Sequence, residues 1–112
     1  MIDVCKLQQQ LREFADQRDW EKYHSPKNLV MAMSVEMAEL MEHFEWLTEE
    51  QSLNLDEETR EQVALEMADV MIYLVRMADR CGVNLDKSVK QKLLLNAQKY
   101  PAAGELNVKE QN

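Results

Sequence analysis

Glu36 and Glu39 stand three residues apart, as do Glu66 and Asp69, and each pair is the only charged interruption of a thirteen-residue apolar segment, 29–41 and 63–75. On a helix, residues three apart lie about 60° apart and project from one face. The 26 intervening residues, 40–65, give room for one helix to finish, a connector to reverse the chain and another helix to return alongside, so the two pairs can face each other. Four bare carboxylates so placed repel. Two unit charges about 4 Å apart cost about 4 kcal/mol at an effective dielectric near 20, and burial adds several more per ion. Lysine and arginine are poorly placed to compensate: after Lys27 the first segment has no basic neighbour except His43, and the second has Arg60, Arg76 and Arg80 towards its ends. Oxygen donors without cysteine or paired histidine select a hard divalent cation, Mg²⁺ or Mn²⁺. Mg²⁺ keeps waters and bridges to phosphate, so a phosphorylated ligand is the companion expectation. A single pair of this kind reads as a solvated acidic stripe or as partner to basic residues on a neighbouring helix. Two pairs, each alone in an apolar segment, favour a metal site.

Two more side chains extend these stripes. Tyr73 lies seven residues beyond Glu66, nearly eclipsed with it, so its hydroxyl can enter the same cavity. His43 stands in the same relation to Glu36, but Glu42 and Glu45 flank it and it reads as a surface residue at a helix end.

The elements that must carry these residues are helices. Two glycines and two prolines punctuate the chain, which leaves strands and tight hairpins little to build on, and the fold class is all-α. Val4, Leu7, Leu11 and Phe14 recur at helical spacing after Asp3, predicting a first helix over 3–18. Ser25 followed by Pro26 starts a second, apolar on nearly all sides and placed at the centre. An acidic connector with room for one short helical turn precedes a third long helix, which starts around 56–59 and ends at Gly82. A last helix over 86–99 turns Val89, Leu93 and Ala97 inward and stops at Pro101. Residues 1–101 are expected to form a single domain, with a flexible polar tail over 102–112. Four helices in a domain this small cannot enclose two that are apolar all round, so a four-helix bundle completed by homo-dimerisation or homo-tetramerisation is expected.

Composition narrows the function. Twenty-one acidic against 13 basic side chains give a net charge of −8, which repels DNA and RNA. No apolar run reaches the roughly 20 residues that cross a bilayer. Cys5 and Cys81 match no metal spacing and read as free thiols, so a reducing cytoplasm is the expected compartment.

"EMAE" at 36–39 and "EMAD" at 66–69 resemble the paired acidic signature of MazG-like, all-α nucleoside triphosphate pyrophosphohydrolases. "LREFADQRDWEKYHSPKNL" before them, "FEWLT" between, "ADVMIYLVRMAD" around the second pair and "NAQKYP" after it are similar to the dCTP pyrophosphatase branch, over about 11–101. The resemblance implies hydrolysis of a (deoxy)nucleoside triphosphate, dCTP or a related dNTP, to the monophosphate and pyrophosphate with Mg²⁺, in nucleotide-pool sanitation. It implies that Glu36, Glu39, Glu66 and Asp69 hold metal, and that Glu39 also orients or deprotonates the attacking water. Lys27 and Asn28 match the family's start of the second helix, where a lysine suits phosphate. Asn96 and Lys99 match its ending and are expected to contact substrate. Trp20 and Trp46 are candidates to stack on the base, with His24 offering a polar edge. The chain departs from cytosine-selective relatives at Leu11, where they carry a histidine, and this leaves base preference open.

Two other classes compete. A di-iron helical protein needs two Glu-x-x-His motifs on its helices, and the single such spacing here, Glu21 to His24 in the polar connector, has no second copy. A non-enzymatic interaction or regulatory module accounts for the Met-rich apolar helices but leaves the carboxylates without a purpose.

Overall fold

Every long helix opens on a side chain that caps it. Asp3 accepts from the Lys6 amide, Ser25 from Asn28, Asp56 from Thr59 and Asn84 from Lys87, each satisfying one of the amides that a helix start leaves without an intrahelical partner. The computed structural model describes residues 1–103, and the predicted tail lies largely outside them, in residues 104–112. The helices are α1 Val4–Gln17, α2 Pro26–Glu42, α3 Glu49–Leu53, α4 Glu57–Cys81 and α5 Leu85–Lys99, with a single 3₁₀ turn at Glu21–Tyr23. There is no strand among the described residues. The short turn expected in the acidic connector is α3, fixed by a capping box in which Thr48 and Gln51 each accept from the other's amide.

Two compact units divide the chain, a first from Met1 to Gly82 and a second beginning at Val83. In the first, α2 and α1 both pack on α4. The helix at the centre is therefore α4 and not α2, a correction to the sequence reading. Length decides this: α4 has 25 residues against 17 in α2, so it alone is long enough to be shared by both neighbours. Among the described residues the buried apolar core is small, namely Ala15, Leu29, Val63, Val75 and Ala78. Gly82 ends α4 in the left-handed region at φ 69°, donating its amide to the carbonyls of Ala78 and Asp79.

Much apolar surface stays uncovered. Met31, Val35, Met37 and Met41 of α2 and Leu65 and Met67 of α4 are all exposed in the single chain. In the second unit, Val89 and Leu93 are also exposed, where an inward orientation was expected. The helical period there is real, but one helix has no layer of its own beneath which to hide a stripe. Among the described residues no helix is long and apolar enough to cross a membrane.

Candidate active site

Packing of α2 on α4 brings Glu36, Glu39 and Glu66 together, one oxygen of each lying within 4.8 Å of the others. Glu36 and Glu66 are half-buried, and Glu39 lies at the solvent edge. Oε2 of Glu36 and Oε2 of Glu66 are closed to solvent and have no hydrogen-bond partner. Burial raises the Glu36 pKa most, followed by a hydrogen bond and charge from Glu39 and then the charges of Asp69 and Glu66. Asp69 stands outside the three-residue cluster, exposed one turn along α4 from Glu66, yet near enough for its charge to act on Glu36. Among the described residues no lysine or arginine pairs with the cluster. Two buried carboxylate oxygens with nothing to accept from, in a set of three like charges, fit a hard divalent cation: oxygen donors are what it takes, and its charge removes the repulsion.

His43 is a correction to the sequence reading. It caps the C-terminus of α2, is half-buried, and places Nε2 3.8 Å from Oε1 of Glu66. The spacing of seven from Glu36 carried that signal, and the flanking glutamates masked it.

A second feature of the same unit is a cavity of about 280 Å³ lined by α1, the residues flanking the 3₁₀ turn, the start of α2 and α4. Leu11, Phe14, Leu29 and Ile72 supply its apolar wall. Trp20 and His24, two of the expected base contacts, line it together with Arg76 and with Tyr73, which was expected beside the carboxylates and lines this cavity instead. Trp20 meets Phe14 edge-on at 5.5 Å between centroids and His24 at 5.9 Å. His24 is held by α4 from two sides: its Nδ1 accepts from Arg76 Nε at 3.3 Å, and its carbonyl from Arg80 Nε at 3.0 Å. Because Nδ1 accepts from Arg76, the ring proton belongs on Nε2, and burial, then the charges of Arg76 and Arg80, lower the His24 pKa in favour of that neutral form. Arg80 also bonds to Glu21 at 2.7 Å, which fastens the 3₁₀ turn to α4.

Lys27, Asn28 and Trp46, expected contacts in the same unit, are not among the residues that line this cavity. Lys27 is exposed in the first turn of α2. Asn28 spends its side-chain amide locally, donating to the Tyr23 carbonyl at 3.1 Å. Trp46 is 87% exposed after the end of α2 and stacks on nothing among the described residues. Asn96 and Lys99 belong to α5 in the second unit, Asn96 half-buried and Lys99 beside the Tyr100 ring.

The MazG-like family model matches residues 31–112, which include both carboxylate pairs. The chain belongs to the MazG-like family. By fold, it resembles a pyrophosphatase from Archaeoglobus fulgidus DSM 4304 at a TM-score of 0.81 and 42% identity, covering 87% of this chain and 91% of that one. By sequence, it is 43% identical over 53 residues to dCTP pyrophosphatase 1 of Bos taurus, 47% of this chain and 31% of that protein. It is 51% identical over 37 residues to dCTP pyrophosphatase 1 of Homo sapiens, 33% of this chain and 22% of that protein. These alignments span under a third of the two relatives' length.

In this MazG-like chain the sequence reading missed a polar network beside the cavity. Arg12 grips Asp79 in a fork, Nε to Oδ2 at 3.1 Å and Nη2 to Oδ1 at 2.6 Å, tying α1 to α4. Arg76 Nη1 donates to the same carboxylate at 3.2 Å. The Arg12 hydrogen bond is the main reason that Asp79 lies below the usual carboxylate range; burial opposes it, and the charges of Arg12, Arg76 and Arg80 add to it. A partial signal existed: Arg76 follows Tyr73 by three, and Asp79 follows Arg76 by three, so each side chain neighbours the next as the series winds away from the Glu66 face of α4.

Proposed function

We propose that this protein hydrolyses (deoxy)nucleoside triphosphates, dCTP or a closely related dNTP, to the monophosphate and pyrophosphate with Mg²⁺, as a homo-dimer or homo-tetramer in the cytoplasm. The observation that carries the reading is the pair of buried, unpartnered oxygens on Glu36 and Glu66 in a carboxylate cluster that no lysine or arginine neutralises. Family membership and the likeness to a pyrophosphatase support it.

Glu36, Glu39, Glu66 and Asp69 would hold the ions. When bound, Mg²⁺ lowers the pKa of a coordinated water and neutralises charge on the phosphates. Glu39, at the solvent edge of the cluster, would orient the attacking water or take its proton. Lys27 meets phosphate at the α2 N-terminus, where the free amides add partial positive charge. The base enters the cavity against Trp20, with His24 and Tyr73 at its polar edge. Tyr73 lies two turns, roughly 10 Å, along α4 from Glu66, a span that a nucleotide bridges between its base and its phosphates. Asn28, Trp46, Asn96 and Lys99 complete the set of proposed contacts. Exposed Met31, Val35, Leu65 and Met67 are the faces that a second copy covers.

Pyrophosphate release from a panel of nucleoside triphosphates, with Mg²⁺ and with EDTA, tests the reading. Release that needs Mg²⁺ and falls by about 100-fold or more in Glu39→Gln, the size of a general-base contribution, is the expected result. No release from any nucleotide contradicts it.

A further inference from the structure

Arg76 is the one charged residue among the described residues that the fold buries, at 3% exposure, next to the buried Val75 and two residues from the buried Ala78. Its guanidinium nitrogens decide what it can do. Nε donates to Nδ1 of His24 and Nη1 to Oδ2 of Asp79. Nη2 is closed to solvent and has no hydrogen-bond partner among the described residues. The obvious acceptors nearby are committed, since Asp79 is gripped by the Arg12 fork and Nδ1 of His24 already accepts from Arg76. A buried donor without an acceptor is costly, and native structures keep such groups where a ligand or an ordered water completes them.

Arg76 also lines the 280 Å³ cavity. That volume sits at the lower end of the range for small-molecule sites, which suits one ring system better than a whole nucleotide. Leu11, Phe14, Leu29 and Ile72 carry no side-chain hydrogen-bonding group. Polar recognition in the cavity therefore falls to Arg76, His24, Tyr73 and Trp20. Arginine and the tryptophan indole only donate, and the one acceptor nitrogen of His24 is taken. Apart from the Tyr73 hydroxyl, the cavity offers donors and asks for a ligand edge of acceptors. A pyrimidine carries such an acceptor in its carbonyl oxygens on a single ring, guanine carries one in O6 on a larger fused ring, and adenine has an amino group and no carbonyl.

We propose that Arg76 is a specificity-determining residue, donating from Nη2 to a carbonyl oxygen of a pyrimidine base seated in the cavity against Trp20 and His24. This rests on the reading of the chain as a nucleoside triphosphate pyrophosphohydrolase and adds the choice of base to it. A base without the carbonyl leaves the guanidinium nitrogen unpaired, the way in which polar sites reject the wrong ligand.

The test is kcat/KM of the full chain with Mg²⁺ on dCTP, dUTP, dTTP and dATP, for the wild type and for Arg76→Met, which keeps an apolar stem of similar length and removes the guanidinium donors, those to His24 and Asp79 included. The wild type should favour the pyrimidines. In Arg76→Met their kcat/KM should fall roughly 10- to 100-fold further than that of dATP, the worth of a hydrogen bond to a charged group, so that the ratio collapses. Arg76→Lys, which keeps a charge without the guanidinium fork, should collapse the ratio in the same way and serves where the Met variant fails to fold. An equal loss on all four nucleotides means that Arg76 only fastens the 3₁₀ turn to α4, and overturns the proposal while hydrolysis stands. A wild-type preference for dATP overturns it without any variant. Absence of hydrolysis on all four removes the underlying reading and this one with it.

Discussion

Asp79 joins three arginines to one carboxylate's field, and its worth depends on who is left behind when it goes. Its side chain is 15% exposed and that of Arg76 only 4%, whereas the Lys22–Asp19 pair is 57% and 82% exposed. Asp79→Ala leaves a buried guanidinium without its carboxylate and is expected to cost about 3 kcal/mol in chemical denaturation, the low end for a broken buried pair because the Arg12 side is open to water. Asp19→Ala should cost less than about 1 kcal/mol. The pH dependence has a definite sign. His24 and Asp79 both have folded-state pKa values below their ordinary 6.5 and 3.8, so the stability each contributes is complete above that value and is lost as pH falls through the folded one. Denaturation midpoints should therefore decline first below about pH 6.5 and again below about pH 3.8, and Asp79→Ala should lack the second decline. At this scale the sequence was legible where spacing alone was informative: the three glutamates converge as the i, i+3 pattern requires. His43 and Arg76 were not legible, because a charge at a helix end looks alike whether it faces solvent or a neighbouring helix, and only the packing of α2 and the 3₁₀ turn on α4 decides which.

Helix boundaries were readable because single residues set them. Asp3, Ser25 and Asp56 cap, Pro26 opens and Gly82 closes, each through a local hydrogen bond or a backbone dihedral that depends on no distant contact. Which helix lies at the centre is a property of pairs, and the sequence reading went wrong there. An all-round apolar α2 looks like a core helix, yet one face meets α4 and the rest is left to whatever covers the chain from outside. The same confusion placed Val89 and Leu93 inward on α5. Hydrophobic periodicity says that a stripe will be buried, but whether its cover comes from the same chain or another is not encoded in the period.

For the whole molecule, the small core and the exposed apolar faces of α2 and α4 belong together. A single chain with so little buried and so much uncovered is expected to be part of an assembly whose interface reaches at least the roughly 1,600 Å² of a stable complex. Light scattering at micromolar concentration should give a dimer or tetramer, and Val35→Glu, a charge on an exposed position one turn from Met31, should shift it to smaller species; a monomeric wild type contradicts the assembly. The assembled protein is also the state in which to weigh the central claim, that the carboxylates of α2 and α4 are held together by divalent ions. Calorimetric titration of Mg²⁺ into the protein with a dNTP analogue whose α,β bridge resists hydrolysis tests it most directly. Saturable uptake that disappears in Glu36→Gln/Glu66→Gln is the predicted result, and no uptake by the wild type, or equal uptake by the double variant, contradicts it.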